Sequence, residues 1–479
     1  MKRLLLFVFF LQIVKLPAVT WSWEWTAVPG DDAVKAEVTT FRYGKEWAYA
    51  VELDDGPNWV RPFAMPFLAK YEWTDAPPGV AGGTKKPFVG GIAVIVAAVQ
   101  ANDSSVTWDD LNFIRRGGWG VLNHSLTHSY VHWDPKPESK ITEAQAREDA
   151  YWGQCLLAIK SETGRAPTAA VYANGTVDYN KNGALSDMGI GLATRVGASG
   201  TMDVKSPKLN LMDFPRNFLD EGPWKEGGKG DPLHGIPNAK ADGPKTDSFV
   251  IDFTHNIDRN EGSENQKRWT ERLNTIATKW GAAGKDNVWV APTDAVGDYL
   301  RAAKAATVTV TAGKLNVTIP DELPGTALTL KLSGVKAQGL KAPEGGALYQ
   351  KDDTVWLTTP MMGIPGAMMP KLVCVYEGKP SSLTFDRPIK VAGVGISFLG
   401  QVETGTTFPL SLVTADGNKD LPVEPFGGKW MSGLRLYPVA PASEPLLATG
   451  LIIESRKGMS KLLVWALDDE QPRPTVTVR

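Results

Sequence analysis

Residues 90–98 read Gly-Gly-Ile-Ala-Val-Ile-Val-Ala-Ala. Nothing in this run alternates between apolar and polar. A strand that is apolar on both faces needs cover on both, as in a parallel sheet wrapped by helices. The same texture extends outward in both directions. Ala48–Leu53 reads as an earlier strand that stops at Asp54-Asp55-Gly56. On the other side, Thr107 can cap a helix through Arg116, Gly117-Gly118 ends it, and Trp119–Asn123 reads as the next strand. Thr142 and Gln145 form a capping box for a helix reaching about Ser161. Ala169–Ala173, Ile190–Ala193, Phe249–Thr254 and Val288–Ala291 read as further strands. Helices are expected from Glu264 to Trp280, and from Thr293, as cap, through Ala305. Strand and helix in this alternation predict an α/β fold, either a parallel sheet or an α/β barrel.

Lys205–Asp247 is rich in Gly, Pro, Lys and Asp and lacks periodicity, so a long insertion or loop system is expected there. After Ala306 the period changes to two. Thr307–Thr311, Lys314–Ile319 and Ala327–Leu332 alternate, with turn residues between them. One or two antiparallel β-sandwich modules are expected from there to Arg479, with a break near Glu377–Ser382.

Composition narrows the function. Lys plus Arg number 51 and Asp plus Glu 53, for a net charge of −2. No basic excess exists to neutralise phosphates, so nucleic acid is not an expected partner. Lys2-Arg3 followed by the apolar run Leu4–Leu11 and Ile13-Val14 fits a secretory signal peptide over residues 1–20. The run is shorter than the roughly 20 residues of a membrane span, and no later segment reads as a transmembrane anchor. The expected location is secreted or periplasmic. Cys155 and Cys374 lack metal-ligand spacing and are expected to be buried free thiols.

Three polar signals sit at strand exits. Asp54-Asp55-Gly56 follows the first strand, His124-Ser125-Leu126-Thr127-His128 follows Trp119–Asn123, and His255 follows Phe249–Thr254. Each alone is weak: Asp-Asp-Gly is usually a turn, and an HxxxH pair is usually structural. In parallel α/β folds, however, strand C-termini converge on one site. A four-residue spacing brings both imidazoles to one point if the segment turns helically. One carboxylate and two imidazoles suit a divalent metal with open positions, and leave a carboxylate and an imidazole as base and acid of a hydrolase.

In this order, Val51-Glu-Leu-Asp-Asp-Gly-Pro57, His124-Ser-Leu-Thr-His128 and Ile251-Asp-Phe-Thr-His255 resemble the first, second and last motifs of the polysaccharide deacetylases, carbohydrate esterase family 4. The resemblance covers about Glu46–Ala305. It implies a distorted (β/α)7-type barrel, placed at residues 21–305; the period-two pattern beyond it divides into a β-rich module (306–380) and a β-sandwich module (381–479). It implies Asp54 as general base, His255 as general acid, and Asp55, His124 and His128 as ligands of one divalent metal, zinc first, with cobalt, nickel or manganese as alternatives. The implied substrate is an acetylated glycan, deacetylated at nitrogen or oxygen.

The sequence departs from the family in two places. Ala170-Val-Tyr-Ala-Asn-Gly175 has Val171 where an Arg that orients the catalytic Asp is expected, and the motif containing Asp-Trp is not recognisable. Arg195, after the strand Ile190–Ala193, is a candidate replacement, with a surface salt bridge as the alternative. The backbone N–H of Asn174 is a candidate oxyanion donor. Trp59 is a candidate sugar platform, or a core residue. His132, beside Trp133, and His234 read as surface residues. The competing reading of the whole chain is a carbohydrate-binding protein on a degenerate deacetylase scaffold. A different metal hydrolase is a third. The sequence does not fix the oligomeric state.

Overall fold

A computed structural model describes residues 18–101, 104–128, 143–161, 165–175, 184–197, 201–220, 244–257, 262–320, 325–362, 371–377, 381–398, 409–421, 434–438, 446–453, 459–466, 476–478 and a few isolated positions between them. The segment before residue 18, read above as a signal peptide, and Thr142, His132, Trp133 and His234 lie outside the described residues.

Seven parallel strands close into a barrel. They are β1 (Trp47–Leu53), β2 (Gly91–Val94), β3 (Gly120–Asn123), β4 (Ala169–Val171), β5 (Leu192–Val196), β6 (Phe214–Phe218) and β7 (Ser248–Thr254). They pair in chain order, and β7 returns to β1 with Ile251 opposite Ala50. An eighth strand, β8 (Val288–Val290), pairs parallel with the first half of β1, outside the closed ring. Every residue of β1 and β7 is buried, as expected for strands covered by side chains inside and helices outside. The longer helices are α1 (Trp108–Arg116), α2 (Glu143–Ile159), α3 (Glu264–Lys279) and α4 (Thr293–Ala305).

Local chemistry explains the element ends. Thr107 caps α1 in a reciprocal box with Asp110, as its sequence predicts. Thr293 differs from expectation: Pro292 precedes the helix, and the Thr293 hydroxyl donates to the Glu52 carboxylate at 2.6 Å instead of capping. The apolar run that begins at Gly90 is also not one long strand. It leaves the barrel after Val94, and the backbone N–H groups of Val96 and Ala97 bond to the carbonyls of Ser125 and Leu126. The second half of the run is thereby spent on holding the loop that follows β3.

The largest difference lies in Lys205–Asp247. Phe214–Phe218 is not loop but the sixth barrel strand, paired with β5 on one side and β7 on the other. Without it the ring would not close.

Antiparallel sheets make up the rest. One has the strand order 18–24, 314–320, 307–311, and another the order 347–351, 354–358, 329–333, 35–38. The stretch 18–38 therefore pairs with strands beyond residue 306, although it precedes the barrel in sequence. Trp23 is buried in the resulting core, with Leu315, Val317 and Leu330. A larger antiparallel sheet gathers the strands from Lys371 onward. Cys155 is a buried free thiol in α2, its pKa pushed up to about 12 by burial. No helix among the described residues is long and apolar enough to cross a membrane.

Candidate active site

The C-terminal ends of β1, β3 and β7 bring their polar residues to one rim of the barrel. Asp54 and Asp55 follow β1, and His255 follows β7. Asp55 sits in the left-handed region at φ 70°, which turns its side chain away from the direction of Asp54. Asp54 is 2 % exposed, whereas the Asp55 side chain is half exposed.

His124 and His128 meet, but not by a helical turn. Ser125 and His128 both have positive φ, 65° and 58°, and the chain coils into a compact loop that sets the two rings 4.6 Å apart. Side chains fasten that loop. Asn123 accepts from the Ser125 N–H, the Ser125 hydroxyl accepts from the His128 N–H, and Asp149 of α2 accepts from the Thr127 hydroxyl at 2.8 Å. Such closure offsets the cost of left-handed backbone at non-glycine residues.

One atom from each of Asp55, His124 and His128 lies within 4.8 Å of the others. His124 Nδ1 is 2.9 Å from the Val171 carbonyl, so it carries the proton and leaves the Nε2 lone pair facing Asp55 at 3.6 Å. Burial, and then the neighbouring His124, lower the His128 pKa to about 4. The lowered pKa leaves His128 a neutral donor, the form a divalent cation binds, and the Val171 carbonyl orients His124 so that Nε2 faces the same point. The donor set, its spacing and its tautomer fit a metal ion.

Two further ion pairs orient the remaining acid and base candidates. Arg216 on β6 grips Asp54 with both arms, Nη1 to Oδ1 and Nη2 to Oδ2, each at 2.7 Å. Burial alone would raise the Asp54 pKa; Arg216 first, then His124, hold it below the ordinary carboxylate value. Asp220, just past β6, accepts from His255 Nδ1 at 2.7 Å and from the His255 backbone N–H at 2.8 Å. That hydrogen bond raises the His255 pKa. His255 Nε2 is left for other partners, and Phe218 and Phe253 stand edge-on to the ring.

Arg195 therefore does not take the place of the missing Arg. It forms a half-exposed ion pair with Asp213. Strand alternation is the reason: on β5, Thr194 points inward and donates to Glu52, so its neighbour Arg195 points outward. Trp59 is 7 % exposed and packs in the core against Phe63, which is the core reading and not a sugar platform. Asn174 lies in a single turn of 3-10 helix, Ala173–Gly175, after β4 on the same rim. Sequence reading missed Arg216, Asp220, Asp149 and Glu52. The only mark of the first two is an Arg with a Phe two residues to either side, Phe214-Pro-Arg-Asn-Phe218, and an Asp two residues beyond; the run does not alternate and so does not read as a strand.

No protein-family model matches this chain, and no curated protein sequence matches it. Solved structures to which it is similar include a deacetylase from Streptococcus pyogenes in complex with acetate, at 14 % identity and a TM-score of 0.27 over 35 % of this chain. A polysaccharide deacetylase from Bacillus cereus aligns at 18 % identity with a TM-score of 0.26, also over 35 % of this chain. The match spans 62 % of the first protein and 46 % of the second, less than two thirds of either. A chitin deacetylase from the fungus Colletotrichum lindemuthianum aligns at 14 % identity, over 49 % of this chain and 83 % of its own, with a TM-score of 0.30.

Replacing Asp220 with Asn keeps the shape but puts a neutral acceptor in place of the carboxylate whose hydrogen bond, and then charge, raise the His255 pKa. A general acid works only while protonated, and the protonated fraction falls as pH rises through its pKa. The alkaline limb of the activity profile is therefore expected to move to lower pH in D220N. A pH–rate comparison with the unaltered protein checks this; an unmoved limb would exclude His255 as the acid.

Proposed function

We propose that this chain is a secreted, metal-dependent hydrolase that removes acetyl groups, N- or O-linked, from a carbohydrate. The observation that carries the reading is the pairing of roles around one rim. Asp55, His124 and His128 form a ready donor set, while Asp54 is locked by Arg216 and His255 by Asp220. A divalent ion held by the donor set, zinc foremost, would polarise an acetyl carbonyl and acidify a water.

The chain's own groups supply the proton transfers. Asp54, kept ionised and oriented by Arg216, accepts a proton from the attacking water. His255, kept protonated by Asp220, donates one to the departing amine or alkoxide, which leaves poorly as an anion. Their opposite pKa shifts, one lowered and one raised, are the separation that acid–base division of labour requires. The glycan substrate follows from the resemblance of the three strand-exit motifs. A carbohydrate-binding protein would need the sugar surface but neither of the two orienting ion pairs.

The test is acetate release from a panel of acetylated glycans, with added zinc and with chelator. Release that chelator abolishes and zinc restores is the expected result. No release across N- and O-acetylated substrates, from protein shown to hold zinc, would overturn the reading.

A further inference from the structure

Glu52 lies two residues before Asp54 on the inward face of β1 and is fully buried. A carboxylate in a barrel interior is costly, and a well-packed apolar residue of similar volume usually serves stability as well or better. Its contacts give the reason for its presence. Glu52 Oε2 accepts from Arg216 Nη1 at 2.8 Å, from the same nitrogen that donates to Asp54 Oδ1. The Thr194 hydroxyl on β5 donates to Oε2 at 3.1 Å, and the Thr293 hydroxyl at the start of α4 donates to Oε1 at 2.6 Å. The guanidinium also lies on the Phe253 ring, 3.7 Å from its centroid. Glu52 is thus fixed from β5 and α4 and in turn fixes one arm of Arg216. Arg216 reaches Asp54 from across the barrel, and a long side chain held only at its tip keeps considerable rotational freedom.

We propose that Glu52 is a positioning residue: it fixes the Arg216 guanidinium and, through it, the Asp54 carboxylate. Its catalytic consequence rests on the function proposed above; its geometric consequence does not. Glu52 and Arg216 lie outside the Asp55–His124–His128 donor set and are both buried, so loss of Glu52 is expected to affect turnover rather than affinity.

The test uses E52A, E52Q and T293V, the last of which releases Glu52 Oε1 without changing charge. Crystal structures of E52A are expected to show the guanidinium rotated off its two-armed grip on Asp54. The kcat for acetate release is expected to fall about 10²-fold in E52A, the order of loss that misplacement of about 1 Å brings. KM and bound zinc are expected to stay unchanged, and E52Q, which retains an acceptor for Nη1, to recover most of the rate. T293V is expected to lower kcat in the same sense and carries the test if E52A does not fold. Unchanged kcat in E52A, or in T293V where E52A is unfolded, overturns the proposal, as does an E52A structure with the grip intact. If the unaltered protein releases no acetate at all, the proposed function fails, and the position of Arg216 in the variant structures still decides the role of Glu52.

Discussion

Arg216→Met is expected to be the most damaging single substitution in the barrel for stability. It removes the one cation shared by Asp54 and Glu52, both buried, and leaves two carboxylates in a low-dielectric interior. Breaking a buried pair from one side costs about 3–5 kcal/mol, because the remaining charge has lost its compensation. The pH dependence has a definite sign. In the unaltered protein the folded Asp54 pKa is depressed, so its contribution is present above the unfolded value and is lost as pH falls through the folded one. In R216M, burial without the Arg raises the Asp54 pKa above its unfolded value and raises further that of Glu52, which burial already holds up in the unaltered protein. The variant's deficit is then greatest at neutral and alkaline pH and shrinks as the carboxyls protonate in acid. Urea midpoints of the two proteins at about pH 5 and about pH 8 check this; a deficit that does not depend on pH would mean lost packing rather than lost charge. R216K keeps the charge but not the planar two-armed fork, so its stability is expected to lie between the two while its activity stays near that of R216M.

The same residue marks the boundary of what the sequence discloses. Strand exits could be read because β1, β3 and β7 are mostly apolar, with few polar residues inside them, and are followed at once by Asp54, His124 and His255. Burial on both faces forces such runs, and the polar residue at the end then stands out. β6 gives no such signal. It has five residues, carries Pro215 at its second position, and lies in a stretch rich in Gly and Lys. Proline lacks the N–H that a central strand uses, so it argues against strand. The barrel tolerates it because β6 pairs with β5 around Pro215 but pairs with β7 only from Asn217 onward. Its inward positions are also filled with Arg216 in place of an aliphatic residue, since this strand serves the site more than the core. Local sequence rules fail where a strand's interior face carries buried charged groups instead of aliphatic ones. The loop after β3 differs for a related reason. HxxxH spacing is compatible with a helix, but Ser125 and His128 adopt left-handed backbone held by Asn123 and Asp149, partners that spacing alone does not reveal.

Two substitutions separate the metal from the proton transfers. Asp54→Asn retains the acceptor for one arm of Arg216 and leaves Asp55, His124 and His128 untouched. Zinc content is expected to match that of the unaltered protein, while kcat falls by about 10²–10⁴, the range that general-base removal spans. His128→Ala removes a donor from a set of three, so zinc and activity are expected to disappear together, and excess zinc to restore little of either. The pair is informative because the two residues approach the same rim from different strands. If the two carboxylates had exchanged roles, D54N would lose zinc and D55N would keep it. The geometry argues for the order given. Both oxygens of Asp54 are already occupied by Arg216, which makes it a poor additional ligand, whereas Asp55 is half exposed and faces the free nitrogen of His124. A residue committed to a guanidinium on both oxygens can still take a proton at the edge it presents to the cleft. It cannot easily turn to bind a cation, and measured zinc stoichiometry in D54N and D55N decides between the two assignments.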